Sequence, residues 1–364
     1  MLKVIELFAG VGAQTQGLKE AGIKHAVVAI SEIDKYASRA YELLHGKVNN
    51  LGDITKIKKL PQADLWTYSF PCTDISLAGK QRGFSKDSNT QSSLLWEVER
   101  LLDVASEHHE LPKYLLMENV KALVNKKFKS EFELWCLYLE ELGYKNFYQV
   151  LNAKNYGVPQ NRERVFLISI KDKDAKYQFP EKQPLNTKLL DYLEPVVDEK
   201  YFLSIKRIEN FSSLENRNGW IRGERFKPHN EKSPYAYTIC TTSGNRATDN
   251  FIIVPENTKA GYRLAEVGDG IYTNRTSKKR GVVQKSAIPT LKTSVADLAV
   301  VVEKDDLISI RRLTPRECFR LMGWQDDKID LIINDFSDTQ MYKMTGNSIV
   351  VHVLAGIFKA LFEI

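Results

Sequence analysis

Val4-Ile5-Glu6-Leu7-Phe8, followed by Ala9-Gly10-Val11-Gly12-Ala13, decides the class of fold. The first run reads as a buried strand, the glycines as a tight turn, and a helical pattern follows to about residue 21. Ala26-Val27-Val28-Ala29-Ile30 is a second apolar run, with a helix behind it over about 35–44. Strand, turn, helix, strand opens a parallel α/β sheet. The rhythm continues with Leu65-Trp66-Thr67-Tyr68, a helix over about 94–108, Tyr114-Leu115-Leu116-Met117, a helix over about 130–142, and strands near 147–151 and 165–170. A doubly wound sheet is therefore expected over residues 1–178.

From about residue 179 Pro, Asn, Ser, Thr, Gly and Arg become frequent and helical periodicity fades until about residue 306. This is read as a second, irregular, β-rich module. Within it, Tyr237-Thr238-Ile239-Cys240-Thr241-Thr242-Ser243 before Phe251-Ile252-Ile253-Val254 echoes Pro289-Thr290-Leu291-Lys292-Thr293-Ser294 before Leu298-Ala299-Val300-Val301-Val302. Short Thr- and Val-rich hairpins also look alike by chance, so the echo stays open. Residues 307–364 return to helix, with Thr314-Pro315-Arg316-Glu317 supplying an N-cap, a proline at the first helical position and a capping-box glutamate. An apolar helix is expected over 347–362.

The length, 364 residues, suits a catalytic body plus an addition. Cys72, Cys136, Cys240 and Cys318 lie far apart without a Cys-x-x-Cys pair, against a disulfide framework or zinc site and in favour of a reducing cytoplasm. No apolar run is read as a membrane span. Net charge is +6, and residues 201–300 hold 16 Lys+Arg against 9 Asp+Glu, so the basic excess sits in the second module. A basic segment on a near-neutral body is the footprint of a phosphate-contacting surface.

Gly10-Val11-Gly12 between strand and helix lies where open α/β sheets bind nucleotides. Glu32 ends the second strand, placed to bond ribose hydroxyls, and Asp53 after Gly52 brings a second acid to the crevice. The third glycine of a dinucleotide fingerprint is missing, which favours an adenosyl ligand over NAD.

A lone cysteine is more often inert packing than a nucleophile. Cys72, however, follows Pro71 at a strand end and precedes a long polar loop, residues 77–90, with Lys80 and Arg82 placed to touch phosphates. Glu118 ends the next strand at the same sheet edge, and Arg162 and Arg164 stand two apart, on one face if the stretch is extended. A thiol, a carboxyl and two guanidiniums suit attack on an electron-poor ring whose developing charge needs protonation.

Phe8-Ala9-Gly10-Val11-Gly12, Pro71-Cys72, Glu118-Asn119-Val120, Gln160-x-Arg162-x-Arg164, Arg312-Leu313-Thr314-Pro315-Arg316-Glu317 and Gly346-Asn347-Ser348 resemble, in order, the motif series of the C5-cytosine DNA methyltransferase family, bacterial or phage restriction-modification type. The likeness covers the chain except roughly 180–305, where the family carries its target recognition domain. It implies a doubly wound S-adenosylmethionine-dependent methyltransferase sheet, no metal, and a cytosine flipped out of double-stranded DNA. It implies further that Cys72 attacks C6, Glu118 acts at N3, Arg164 contacts O2 and Arg162 supports the thiolate and its loop. Phe8, Gly10, Gly12, Glu32, Ile33, Asp53, Ile54, Pro71, Leu94 and Asn347 would line the cofactor site. Arg246, Lys278, Lys279 and Arg280 join Lys80 and Arg82 as candidate DNA contacts. One chain supplies every catalytic group, so a monomer is expected, with no cognate restriction endonuclease required in contact. The sequence departs from the family at Thr73, where glutamine is common, and at Ala13-Gln14, where a second glycine is frequent. The rival readings are an NAD-type oxidoreductase, which leaves Cys72 and the arginines unexplained, a catalytically inactive DNA-binding homologue, and an RNA cytosine methyltransferase of the same pattern.

Overall fold

The computed structural model describes residues 1–72, 75, 91–202, 252–255, 262–273, 281–293, 298–304 and 307–362. Lys80, Arg82, Arg246, Lys278, Lys279 and Arg280 lie outside the described residues, as does most of the first copy of the 237–254 echo.

The sheet contains β1 (Leu2–Leu7), β2 (His25–Ser31), β3 (Leu65–Tyr68), β4 (Tyr114–Val120), β5 (Lys145–Asn152) and, after the short β6 (Gln160–Asn161), β7 (Glu163–Ile170). Their order is β2-β1-β3-β4-β7-β5. The first four strands are parallel, but β7 inserts between β4 and β5 and runs antiparallel to both. The sheet is thus mixed where the opening pattern predicted parallel strands. Parallel neighbours need a crossover, usually helical, of a dozen or more residues, and only a short irregular connection joins β5 to β7.

Side chains alternate between the two faces as a pleat requires, and the central strands are buried on both. In β7, Phe166 and Ile168 enter one core while Val165 and Leu167 enter the other. The first core is closed by α1 (Ala13–Glu20), α2 (Lys35–His45) and the C-terminal helix, the second by α3 (Leu95–Glu107) and α4 (Lys129–Glu141).

Glu6 is the exception in β1. It is fully buried, Oε1 accepts from Thr15 Oγ1 at 2.5 Å, and Oε2 is without a partner among the described residues. Burial pushes its carboxyl up from 4.5 to about 7. The folded chain therefore holds this proton more tightly than the unfolded one. The resulting stability is fully present below pH 4.5 and lost as pH rises through about 7, a difference of roughly 3 kcal/mol. Glu6→Gln is expected to flatten the decline in urea-unfolding free energy across that window; an unchanged decline would assign it to other groups.

In the second module the described strands are β8 (Ile252–Pro255), β9 (Tyr262–Ala265), β10 (Gly270–Tyr272), β11 (Val283–Gln284), β12 (Ile288–Pro289) and β13 (Leu298–Lys304). β14 (Leu307–Arg311) pairs antiparallel with β13, so one hairpin spans the expected boundary at 306/307. β12 pairs with β6 and ties this module to the stretch preceding β7.

The last helices are α5 (Pro315–Arg320), α6 (Asp326–Ile329), α7 (Asp338–Asn347) and α8 (Val351–Phe362). The capping box of α5 is present: Glu317 N donates to Thr314 Oγ1 at 3.2 Å and Thr314 N to Glu317 Oε2 at 2.8 Å. Asn347 ends α7 and does not open the last helix, which begins at Val351. Asp338–Phe362 is long and apolar enough in sum to cross a membrane. It is nevertheless two helices separated at residues 348–350, and α8 buries Val353, Leu354, Ile357 and Phe358 against the first core.

Candidate active site

The crevice lies at the C-terminal ends of the parallel strands. After β1 the backbone takes positive φ at Phe8 (57°), Gly10 (57°) and Gly12 (78°). At Gly10 an added Cβ would meet nothing within 4 Å, so this side of the turn is open to a ligand. Gly12 faces inward, where a Cβ would come within 2.6 Å of Tyr41 and His45. The turn is held by Glu32, whose Oε2 accepts from Gly10 N at 2.8 Å and Oε1 from Asp34 N at 2.7 Å. Burial raises the Glu32 carboxyl from its usual range, although these backbone donors oppose the rise.

Ile33, next along, is 75% exposed, an apolar face at the crevice rim. Asp53 caps the turn at Ile54 by accepting from Thr55 Oγ1 at 2.8 Å and Thr55 N at 3.0 Å, and those bonds, the hydroxyl first, hold its carboxyl below the usual range. Ile54 is buried, Phe8 and Leu94 half-buried, and Asn347 exposed at the end of α7. An open glycine face, an apolar rim and two carboxylates fit an adenosyl group with its ribose.

Cys72 sits four residues beyond β3, half-buried. Two side chains fasten the segment that carries it. Asn119 Nδ2 donates to Phe70 O at 3.0 Å, and the buried Ser92 donates through Oγ to Pro71 O at 2.7 Å. Burial pushes the Cys72 thiol up; Arg164 and then Arg162 pull it down, while Glu118 adds to the rise.

Glu118 is buried opposite Phe166 in the β4–β7 ladder, which places Arg164, two residues along β7, on the same face. Arg164 Nε lies 3.1 Å from Glu118 Oε1. Burial raises the Glu118 carboxyl against the opposing pull of Arg164, Arg162 and the Ser69 hydroxyl. The site therefore favours a protonated carboxyl to higher pH than an exposed glutamate would.

Arg162 is buried in the break between β6 and β7. Its Nη1 donates to Leu291 O at 2.8 Å, and its Nη2 to Gly346 O at 3.1 Å and Ser348 O at 2.7 Å. The two arginines share an electrostatic field with Cys72 and Glu118, but Arg162 bonds to the backbone of the second module and of the α7–α8 junction. Gln160, also fully buried, adds to this seam by donating to Leu321 O at 2.7 Å and accepting from Leu291 N at 3.2 Å.

Gly346 is required at the same seam because a Cβ there would fall on the backbone of Lys292 and Thr293. Gly346→Ala is expected to lower the urea midpoint, with a loss of at least about 2 kcal/mol, since backbone cannot yield as a flexible side chain can. A wild-type midpoint would show that the two segments separate freely.

Asn119 and Gln160 stand inside the conspicuous sequence patterns, yet their roles emerge only from the geometry. Ser92 carries no sequence signal.

The profile of the C-5 cytosine-specific DNA methylase family matches residues 2–363. The chain belongs to that family. Its reaction class is accordingly methyl transfer to cytosine C5 in DNA, with S-adenosylmethionine as the donor that the family uses. Type II methyltransferase M2.ScrFI of Lactococcus lactis subsp. cremoris is 34% identical over 418 aligned positions, covering 100% of this chain and 99% of the relative. Type II methyltransferase M.NlaX of Neisseria lactamica is 30% identical, covering 98% and 95%. Among solved structures, S. pombe Dnmt2 methyltransferase superposes with a TM-score of 0.64 at 18% identity, covering 100% of this chain and 99% of the other, a likeness of fold.

Proposed function

We propose that this DNA methyltransferase modifies one cytosine within a particular sequence of double-stranded DNA, with Cys72 as nucleophile, Glu118 as the acid at N3 and Arg164 as the group that orients Glu118 and meets O2. The observation that carries the reading is the buried Glu118–Arg164 pair at 3.1 Å in the same electrostatic field as Cys72. The thiolate sulfur bonds to C6 of the extruded base. Glu118 gives its proton to N3, so the ring's electron density moves to C5, which becomes the carbon nucleophile. S-adenosylmethionine, when bound, supplies the electrophilic methyl group. Water takes the C5 proton, Cys72 leaves C6 as a thiolate, and N3 returns its proton to Glu118, which restores the aromatic ring and leaves S-adenosylhomocysteine as the second product.

Arg164 keeps Glu118 fixed as its charge changes. Arg162 lends its positive field to the thiolate while joining the second module to the catalytic edge. Phe8, Gly10, Gly12, Glu32, Ile33, Asp53, Ile54, Pro71, Leu94 and Asn347 would hold the cofactor, with Glu32 suited to ribose hydroxyls and Ile33 to the flat face of adenine.

In this reading residues 179–306 recognise the target, with Lys80, Arg82, Arg246, Lys278, Lys279 and Arg280 meeting phosphates and bases. Relatives named as type II methyltransferases support a place in restriction-modification, in the cytoplasm where the DNA lies. An endonuclease partner need not touch this chain for it to act.

Bisulfite sequencing of DNA from cells expressing the chain is expected to reveal methylcytosine at one recurring motif, absent with Cys72→Ser. No methylation above that control, from protein shown to bind S-adenosylmethionine, would defeat the proposal.

A further inference from the structure

His45 closes α2 and is named by no feature of the sequence. Its ring lies beneath the glycine turn, with Nδ1 2.9 Å from Lys19 Nζ and Nε2 3.1 Å from Val11 O. A lysine ammonium can only donate, so Nδ1 must accept; a carbonyl can only accept, so Nε2 must carry the proton. The two partners specify the same neutral tautomer, and an imidazolium would turn an N–H towards an ammonium. Burial, with Lys19 next in effect, holds the imidazole down to about 3, in agreement with that arrangement.

The ring is also fixed from the side. Tyr41 meets it edge-on with centroids 4.8 Å apart, and Trp324 lies tilted at 6.0 Å. Tyr41 is itself anchored, its hydroxyl 2.9 Å from Thr15 Oγ1, which donates to Glu6.

Val11 stands between Gly10 and Gly12, both at positive φ, in a turn preceded by Phe8, a non-glycine residue also at positive φ. Such a backbone keeps its shape only when its surroundings hold it. Glu32 takes the Gly10 N–H on one side and His45 the Val11 carbonyl on the other. With Gly12 lacking a Cβ, the His45 and Tyr41 rings fill the space below the turn.

We propose that His45 is a positioning residue for the cofactor: as a neutral imidazole in a single tautomer, it holds the Val11 carbonyl and sets the glycine turn against which S-adenosylmethionine seats. The inference rests on the cofactor reading given above. His45 acts through the turn, so its loss should weaken cofactor binding and spare the chemical step.

His45→Phe keeps an aromatic ring between Tyr41 and Trp324 and removes both hydrogen bonds. By calorimetry with S-adenosylmethionine its dissociation constant is expected to rise about fivefold, the worth of one buried hydrogen bond. KM for the cofactor should follow, with kcat and KM for DNA within about twofold of wild type. His45→Gln, which can still donate to Val11 O, is expected to recover part of the affinity. A folded His45→Phe that binds S-adenosylmethionine like wild type would overturn the inference, whereas a wild-type protein that binds none would overturn the cofactor reading beneath it.

If His45→Phe does not fold, nitrogen NMR of the wild-type imidazole decides: protonated Nε2 and bare Nδ1 are expected, and a proton on Nδ1 would overturn the proposal. Lys19→Met, which frees Nδ1, supplies the matching affinity measurement. A smaller rise in the same cofactor constant is expected, and no rise would count against the tautomer lock.

Discussion

Cys72→Ser is expected to lower methyl transfer by on the order of 10⁴-fold or more while leaving S-adenosylmethionine affinity close to wild type. The nucleophile must be an anion; burial pushes the Cys72 thiol up, and the positive field of Arg164 and Arg162 opposes that rise without cancelling it. A serine hydroxyl ionises far above any pH at which the protein folds, and the same two arginines cannot close that gap. The residues proposed to hold the cofactor, apart from the adjoining Pro71, lie elsewhere, chiefly in the turn after β1, just beyond β2 and at Asp53–Ile54, so binding should survive. Tritiated methyl transfer to duplex DNA measures the first quantity and calorimetry the second. Residual turnover within about tenfold of wild type would remove Cys72 from the role of nucleophile. The pH profile gives a second reading: kcat/KM in the wild type should climb as pH rises and the thiol ionises.

Glu118→Gln carries the other large effect, an expected loss of about 10²–10³-fold in kcat. A glutamine amide can donate to N3 but cannot give up a proton to it, so the ring gains polarisation without becoming neutral. Burial raises the Glu118 carboxyl, so its proton persists to higher pH than in an exposed glutamate and is lost as pH climbs further. The wild-type profile of kcat/KM should therefore fall on its alkaline side, whereas Glu118→Gln should keep the rising limb set by Cys72 and lose the descending one. An unchanged alkaline limb in the variant would assign that ionisation to another group. The substitution also leaves Arg164 without its carboxylate partner, so a urea titration should accompany the kinetics to separate loss of chemistry from loss of fold.

Most of the sheet was legible because strand and helix periodicities are local properties of the chain. Residues 65–68, a strand in the sequence, form β3 over Leu65–Tyr68, and the helix expected over 130–142 is α4 at Lys129–Glu141. The insertion of an antiparallel β7 between β4 and β5 was not legible, since pairing partners are set by connection length and packing across the whole sheet. The last helix begins at Val351 rather than at Asn347: apolar residues continue through the break in the sequence, whereas the break itself is bonded from a distant part of the chain, by Arg162 to Ser348 O.

The same division holds at the site. Which reactive groups the chain offers is written in its residues, because a Pro-Cys, a Glu-Asn-Val and an Arg-x-Arg in order are covalent facts. How those groups are held follows from the fold. Two arginines that look equivalent two positions apart part company in the fold, Arg164 pairing with Glu118 and Arg162 stitching carbonyls of Leu291, Gly346 and Ser348. Asn119 and Ser92 became clamps on the Cys72 segment, and His45 a support for the glycine turn, because burial brings together groups far apart in the chain. A residue type fixes which proton or charge is on offer, whereas its hydrogen-bond partners and its distance from water are fixed only once the chain has closed around it.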